Sequence, residues 1–431
     1  MLCAGNRFSM PRAPRSDGAN CLLWKISFAV AEEIFYGLAP GPGCTARGRE
    51  ILGPSLTVRW LGSSALCLNS FAMYDFLPSI PSIQDDAFTQ HVQQLLDNKT
   101  KPVGSLGVLE RLALRVATIL GDASPVLQDP QMVIFAADHG LAARGVSAYP
   151  TDVTWQMVEN FLAGGAAVSV LSRTHGIHLN IVDCGVARDI ERREQDPEDK
   201  LPRPGEPRLW RRKVAYGTKD SSVGPAMSDA ECRMAILNGM ALVQKLPGNA
   251  LLLGEMGIGN TSCASLLLAR LGNIDVGSVS GMGTGLDADG LRRKVEVLRA
   301  VLDHHAGVTE PLAVLAAMGG LEVATMVGAV LQAAAERRVI VVDGFITSAA
   351  VLVASRLRPA VLERCVYAHR SGERGHTLML LELGAEPLLD WHMRLGEGSG
   401  AATAWPLLVA ACAVLREMAS FASAGVSTKG V

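Results

Sequence analysis

Five short apolar runs constrain this chain more than any other feature: QMVIFAAD (131–138), HLNIVDCG (178–185), NALLLGE (249–255), VIVVDG (339–344) and RCVYAH (364–369). None alternates between apolar and polar. A strand with one wet face alternates, whereas a strand covered on both faces does not. Segments long enough for a helix separate the runs, which implies right-handed crossovers and a mostly parallel sheet. DVGSVSG (275–281) reads as a weaker sixth strand. The expected fold class is therefore α/β, a Rossmann-like, mostly parallel sheet flanked by helices. Several runs end on an acid, namely Asp138, Asp183, Glu255 and Asp343. Ligands of open parallel sheets bind outside the carboxyl ends of the strands, so these residues mark a candidate face.

The chain has 431 residues, 49% of them hydrophobic, which is ample for a large core and suggests two or three domains. Its 40 basic and 42 acidic residues give a net charge of −2, so nothing points to a nucleic-acid groove or a membrane surface. The nine cysteines are odd in number and none has CxxC spacing, which reads as reduced thiols of a cytoplasmic protein. Residues 85–120 look helical, and so do 390–425, broken at Pro406. The expected organisation is a small helical domain from 73–125 and 390–431 around a parallel α/β catalytic domain over 126–389. Residues 1–72 carry Pro, Gly and Arg without a period. They are expected to be an extension, disordered or lying upstream of the true start, with ordinary sequence beginning near Met73. The insertion 190–213 reads as a charged, solvent-exposed loop. The apolar stretch 311–336 is interrupted by Gly319-Gly320, Glu322 and Gln332, and reads as a buried helix rather than a membrane span.

Chemistry concentrates at the turns. In LLLGEMGIGNTSCASLLLARL (251–271) a strand meets a glycine-rich turn and then a helix beginning near Asn260-Thr261. That geometry aims backbone N–H groups at a phosphate, although a plain turn with a helix cap fits the same residues. SGMGTGLDADG (280–290) is a second glycine-rich turn before a helix, with Lys294 one turn in. VIVVDGFITSAA (339–350) resembles the phosphoribosyl-diphosphate loop of ordinary phosphoribosyltransferases, but Gly344 stands where a second acid belongs and Ser348-Ala349 where Thr-Gly belongs. A diphosphate leaving group also calls for a metal and carboxylates to hold it, and no such cluster is seen. AHRSGERGH (368–376) offers His369, Ser371, Glu373 and His376, without the spacing of a metal motif. MRLGEGSGAA (393–402) sets Glu397 between two glycines, which lets backbone and substrate approach it closely.

Taken in order, NKTKPVGSLGVLERLA, FAADHGLAARGVSAYPTDVTWQMVENFLAGGAA, GEMGIGNTS, GTGLDADGLRRK, VVDGFITSAA, AHRSGERGH and MRLGEGSGAA resemble the nicotinate-nucleotide:5,6-dimethylbenzimidazole phosphoribosyltransferases of cobalamin nucleotide-loop assembly. The resemblance covers roughly residues 75–427 and implies an enzyme that moves 5-phosphoribosyl from nicotinate mononucleotide to 5,6-dimethylbenzimidazole. It implies Glu397 as general base, with Glu255 and Lys294 near the ribose and the reacting centre. It implies donor contacts from Met256, Gly257, Ile258, Gly259, Asn260, Thr261, Gly283, Thr284, Gly285, Asp343 and Ser371, and acceptor contacts from Ser147, Tyr149, Gln156 and Leu395. It implies no metal, no cofactor and a homodimer. Met282 and Ser262 stand where relatives often carry a charged or polar residue and a Thr, which leaves the acceptor open. Two rivals remain at this level: a phosphoribosyltransferase with another aromatic acceptor, and a non-catalytic nucleotide-binding protein of the same fold.

Overall fold

The computed structural model describes residues 74–191, 206–283 and 285–427. Residues 1–73 and the core of the 190–213 insertion lie outside that set. The six strands are β1 (Gln131–Ala137), β2 (His178–Gly185), β3 (Pro207–Arg211), β4 (Ala250–Met256), β5 (Val339–Val342) and β6 (Cys365–Tyr367). They form one parallel sheet in the order β3-β2-β1-β4-β5-β6. Along the chain the helices are α1 (Asp86–Asp97), α2 (Val108–Leu120), α3 (Asp152–Ala163), α4 (Ala167–His175), α5 (Asp229–Lys245), α6 (Asn260–Leu271), α7 (Val276–Val279), α8 (Ala288–His304), α9 (Pro311–Met318), α10 (Leu321–Ala335), α11 (Phe345–Leu357), α12 (Arg374–Glu382), α13 (Ser399–Glu417) and α14 (Phe421–Ala424). The chain winds outward from β1 to β3, then returns to β4 at the other side of β1. At that reversal the crossovers part to opposite faces and leave a crevice beyond the strand ends.

The unbroken apolar runs have the cause expected of them. Every residue of β1, β2, β4 and β5 is buried. Val133, Phe135 and Ala137 point into one core and Met132, Ile134 and Ala136 into the other. The first core is closed by α5, α6, α9, α10 and α11, the second by α1–α4 and α13. At the chain's two ends α13 packs on α2 and α4, while Lys99 Nζ donates to Met418 O at 2.7 Å.

Four details differ from the sequence reading. Residues 275–281 hold no strand; Ser278 N donates to Asp275 Oδ2 at 3.1 Å, and this cap starts the short α7 instead. Within 190–213 the residues 207–211 form edge strand β3, because Leu209 and Trp210 are buried. The apolar stretch 311–336 is two helices, α9 and α10, parted at Gly319-Gly320. Finally, α13 runs through Pro406 unbroken. An interior proline costs a helix about 3 kcal/mol. Trp405, Leu408, Ala411 and Leu415 are all buried on that helix, and a large side chain contributes roughly 1.5–3 kcal/mol when buried, so packing outweighs the break. By length and composition α13 alone among the described helices could cross a membrane, yet its inner face is covered by β4, α2 and α4.

Candidate active site

Only Gly257, Ile258 and Gly259 separate β4 from α6. Gly259 turns the chain with a φ of 98°, a left-handed value that glycine adopts without strain. Three amides hold the turn: Ile258 N donates to Thr154 Oγ1 (3.1 Å), Asn260 N to Gly257 O (3.1 Å) and Ser262 N to Gly259 O (2.9 Å). The positive end of α6 therefore opens into a pocket of about 650 Å³, where Met256, Gly257, Ile258, Asn260 and Thr261 form the floor.

Lys294 joins the two glycine-rich turns. Its Nζ donates to Thr261 Oγ1 at 2.9 Å and to Gly281 O at 3.4 Å. Burial lowers its ammonium to about 8, against the pull of Glu373. The second turn thus lies beside the first, although it follows α7 and not a strand. Gly283 lines the pocket, and Gly285 lines an adjoining cavity of about 800 Å³ that shares Gly283, Glu373 and Arg394 with it.

Two acids face the pocket at close quarters. Glu255, the penultimate residue of β4, accepts a hydrogen bond from Asn260 Nδ2. Burial, then the charge of Asp343, pushes it up to about 8. Glu397 comes from the far end of the chain, in a turn where Gly396 (φ 79°), Glu397 (φ 63°) and Gly398 (φ 83°) are all left-handed. A non-glycine residue held there costs of order 1–3 kcal/mol. Gly254 makes room for that turn, since a Cβ on it would stand 2.7 Å from Glu397 O. A Cβ on Gly396 would run into Glu255 Oε1, so Glu255 packs directly against the glycine that precedes Glu397. Burial, then Asp343, raises Glu397 to about 7.

Asp343 does not line the pocket. Its carboxylate accepts from Ala401 N at 2.9 Å and Gly398 N at 3.3 Å, which pins the strained turn and the start of α13 to the end of β5. His369 lies 3.8 Å away through Nε2, and its Nδ1 has no partner among the described residues. Among those residues no group of three or more His, Cys, Asp or Glu side chains is arranged to hold a metal.

Comparison with known proteins matches this architecture. A family model described as "Phosphoribosyltransferase" spans residues 81–426. The nicotinate-nucleotide–dimethylbenzimidazole phosphoribosyltransferase of Variovorax paradoxus is 62% identical over 353 residues, covering 82% of this chain and 97% of that protein. Its counterpart from Cupriavidus necator is 52% identical, covering 80% and 96%. The crystal structure of the Thermus thermophilus protein of the same name superposes with a TM-score of 0.72 at 38% identity, over 80% of this chain and all of that one. The chain belongs to the nicotinate-nucleotide–dimethylbenzimidazole phosphoribosyltransferase family.

In this member of the family, the residues singled out from sequence fall into three groups. Glu255, Met256, Gly257, Ile258, Asn260, Thr261, Gly283, Ser371, Leu395 and Glu397 line one pocket, with Gly259 and Lys294 directly behind it. Thr284 lies outside the described residues. Ser147, Tyr149 and Gln156 are not in the pocket wall; Tyr149 and Gln156 are exposed, on the segment that leads into Thr154 and its bond to Ile258. Four wall residues escaped sequence reasoning: Phe345, Ile346 and Thr347 at the start of α11, and Arg394 beside Leu395. The first three follow directly on the end of β5, a position that itself pointed to the site. Glu373 lines the wall too and is raised by burial, with Lys294 and Arg394 opposing. His376 supports from behind. Its Nδ1 accepts from Ser371 N at 2.8 Å, its Nε2 faces Ser348 Oγ at 3.1 Å, and burial lowers it to about 3.

Proposed function

We propose that this chain transfers 5-phosphoribosyl from nicotinate mononucleotide to 5,6-dimethylbenzimidazole, giving α-ribazole 5′-phosphate and nicotinate. One observation carries this reading: two carboxyls, Glu397 raised to about 7 and Glu255 to about 8, line one pocket with the turn that opens α6. The names of the relatives supply the substrates. The α6 end and its turn receive the 5′-phosphate. The glycosidic nitrogen of the donor is already a pyridinium, so the C1′–N bond breaks with its electron pair returning to the ring. Nicotinate departs without protonation, and no diphosphate charge needs a cation. The acceptor's unprotonated ring nitrogen attacks C1′, and Glu397 takes the proton from its N–H; a base near the working pH suits that step. Glu255, ionised as the donor's cation arrives, stabilises positive charge on the ribosyl carbon. Lys294 fixes the two turns.

What supports a small helical domain from 73–125 and 390–431, set against an α/β domain over 126–389, is the packing of α13 on α2. A cytoplasmic homodimer is proposed on the resemblance. Incubation of the protein with nicotinate mononucleotide and dimethylbenzimidazole in EDTA tests the whole reading. Free nicotinate and α-ribazole phosphate are expected at the metal-replete rate. Turnover that stops on chelation and returns with Mg²⁺ points to a phosphoribosyl-diphosphate donor instead.

A further inference from the structure

We infer that the buried hydrogen bond between His139 and Glu322 is the prop on which the Gly257–Gly259 turn rests, making these two positioning residues for donor binding. His139 follows β1 and Glu322 is the second residue of α10, so 183 positions of sequence separate them. His139 Nε2 and Glu322 Oε1 stand 2.6 Å apart, with the side chains 4% and 0% exposed. Neither lines the pocket, and the mechanism above uses neither.

The imidazole lies against the turn. A Cβ built on Gly257 would be 3.4 Å from both His139 Cδ2 and Nε2, and one on Gly259 would be 3.5 Å from His139 Cβ. Ala137 O stands nearer to Gly257 and Ala142 Cβ nearer to Gly259, so two of the three residues of the turn sit between this side chain and those neighbours. On the other side of the ring, a Cβ on Gly320 would strike His139 Cε1 and come within 2.8 Å of Glu322 Oε1, so the break between α9 and α10 is shaped to admit the pair. Glu322 is the one charged residue of α10, a helix buried almost throughout. Burying a carboxylate there is costly unless it is held. Burial works against the His139 imidazolium, but the adjacent Glu322 and Asp138 charges prevail and hold the ring above its usual range. The prop is rigid because its base is rigid: α10 packs on α5, with Gly239 of α5 against the backbone at Thr325 and Gly328 of α10 against the backbone at Ile236, and α10 touches β1, β2, β4 and β5. Asp138 contributes from the same turn, its Oδ2 accepting from Ala187 N at 2.8 Å, and so fixes the backbone that carries His139.

The inference rests on reading the turn as the donor's phosphate site, and wild-type turnover tests that reading separately. Four full-length variants decide the rest: His139→Ala, Glu322→Ala, Glu322→Gln and His139→Gln. Steady-state rates are measured against each substrate in turn, with thermal melting as a check on folding. The two alanine variants should raise the donor KM on the order of tenfold, because the amides lose their register, while kcat at saturating donor and the acceptor KM stay within about threefold. Glu322→Gln keeps an acceptor for the imidazole N–H and should restore the donor KM to within about threefold of wild type. If the alanine variants do not fold, His139→Gln, which keeps a donor but not the flat ring, should still raise the donor KM at unchanged kcat. The inference is overturned if donor KM is unchanged in every folded variant other than Glu322→Gln while wild type turns over normally. It is equally overturned if kcat falls instead of donor KM rising, or if Glu322→Gln is as impaired as Glu322→Ala.

Discussion

The floor of the pocket and its rim are built from different materials. The floor is main chain: the end of β4, a three-residue turn and the first two residues of α6, all buried except Thr261. The rim is side chain: Leu395 is 56% exposed and Met282, on the adjoining cavity, 52%. Changing the floor means moving a central strand of the sheet, whereas changing the rim means changing one exposed residue at a time. On the proposed assignment, the donor meets a fixed surface and the acceptor an adjustable one. Both departures from the family pattern fit that contrast. Met282 sits on the rim, and Ser262, one residue past the floor on α6, is buried with its hydroxyl unpartnered among the described residues.

The sharpest break should come where rim and floor meet. Glu397→Gln keeps the shape and removes the basicity, so kcat should fall by roughly 10²- to 10⁴-fold with donor KM little changed. The base works only when ionised, so the wild-type rate should climb with pH through about 7 and then level off. That acidic limb should vanish in the variant, and a limb that survives would remove Glu397 from the role.

Next in size is Gly259→Val. A β-branched residue is strained at a φ of 98°, and its Cβ would press on Ala142 Cβ at 3.3 Å. The donor KM should rise by about 10²-fold with the acceptor KM unmoved; an equal rise in both would mean that floor and rim are not separate.

Glu255→Gln probes what the floor costs. The folded protein holds the Glu255 proton to about 8, far above an exposed glutamate. The folded state therefore binds more protons than the unfolded chain between those values, and stability is full at acid pH and falls as pH rises toward 8. Glutamine has no charge to bury. Denaturant curves should show the variant gaining about 3 kcal/mol on wild type between pH 5 and pH 8. Parallel pH dependences would refute the assignment.

Leu395→Ala should have the smallest effect. An exposed apolar rim residue discriminates by a few-fold, so the preference among benzimidazole-type acceptors should shift while the donor KM holds. Competition assays with paired acceptors measure it, and a donor KM that moves instead would place Leu395 on the floor.

The same contrast explains what was legible in the chain. The five strands β1, β2, β4, β5 and β6 could be read because burial on both faces writes an unbroken apolar run. The first glycine-rich turn was legible because strand, turn and helix adjoin in sequence. β3 was not, since an edge strand beginning at Pro207 and flanked by Arg208, Arg211 and Arg212 looks like the charged loop around it. Residues 275–281 carry a strand-like composition, and only the side-chain cap from Asp275 decides for a helix. Pro406 reads as a breaker until the packing of α13 is seen. The bond of His139 to Glu322 and the grip of Asp343 on the Glu397 turn join distant segments, and no local pattern announces either.

That grip of Asp343 has a bearing on synthesis. The turn after β4, Glu255 and Lys294 have all been synthesised once about three hundred residues are made, and β5 follows. Glu397 enters only when the turn after residue 395 meets Gly254, Asp343 and a folded α13, which in turn packs on α2 from the start of the described chain. A nascent chain that stops short of that turn would hold a phosphate cradle without a base. On the proposed roles the chemistry waits for Glu397, and a chain that ends before residue 397 has no base to turn over with.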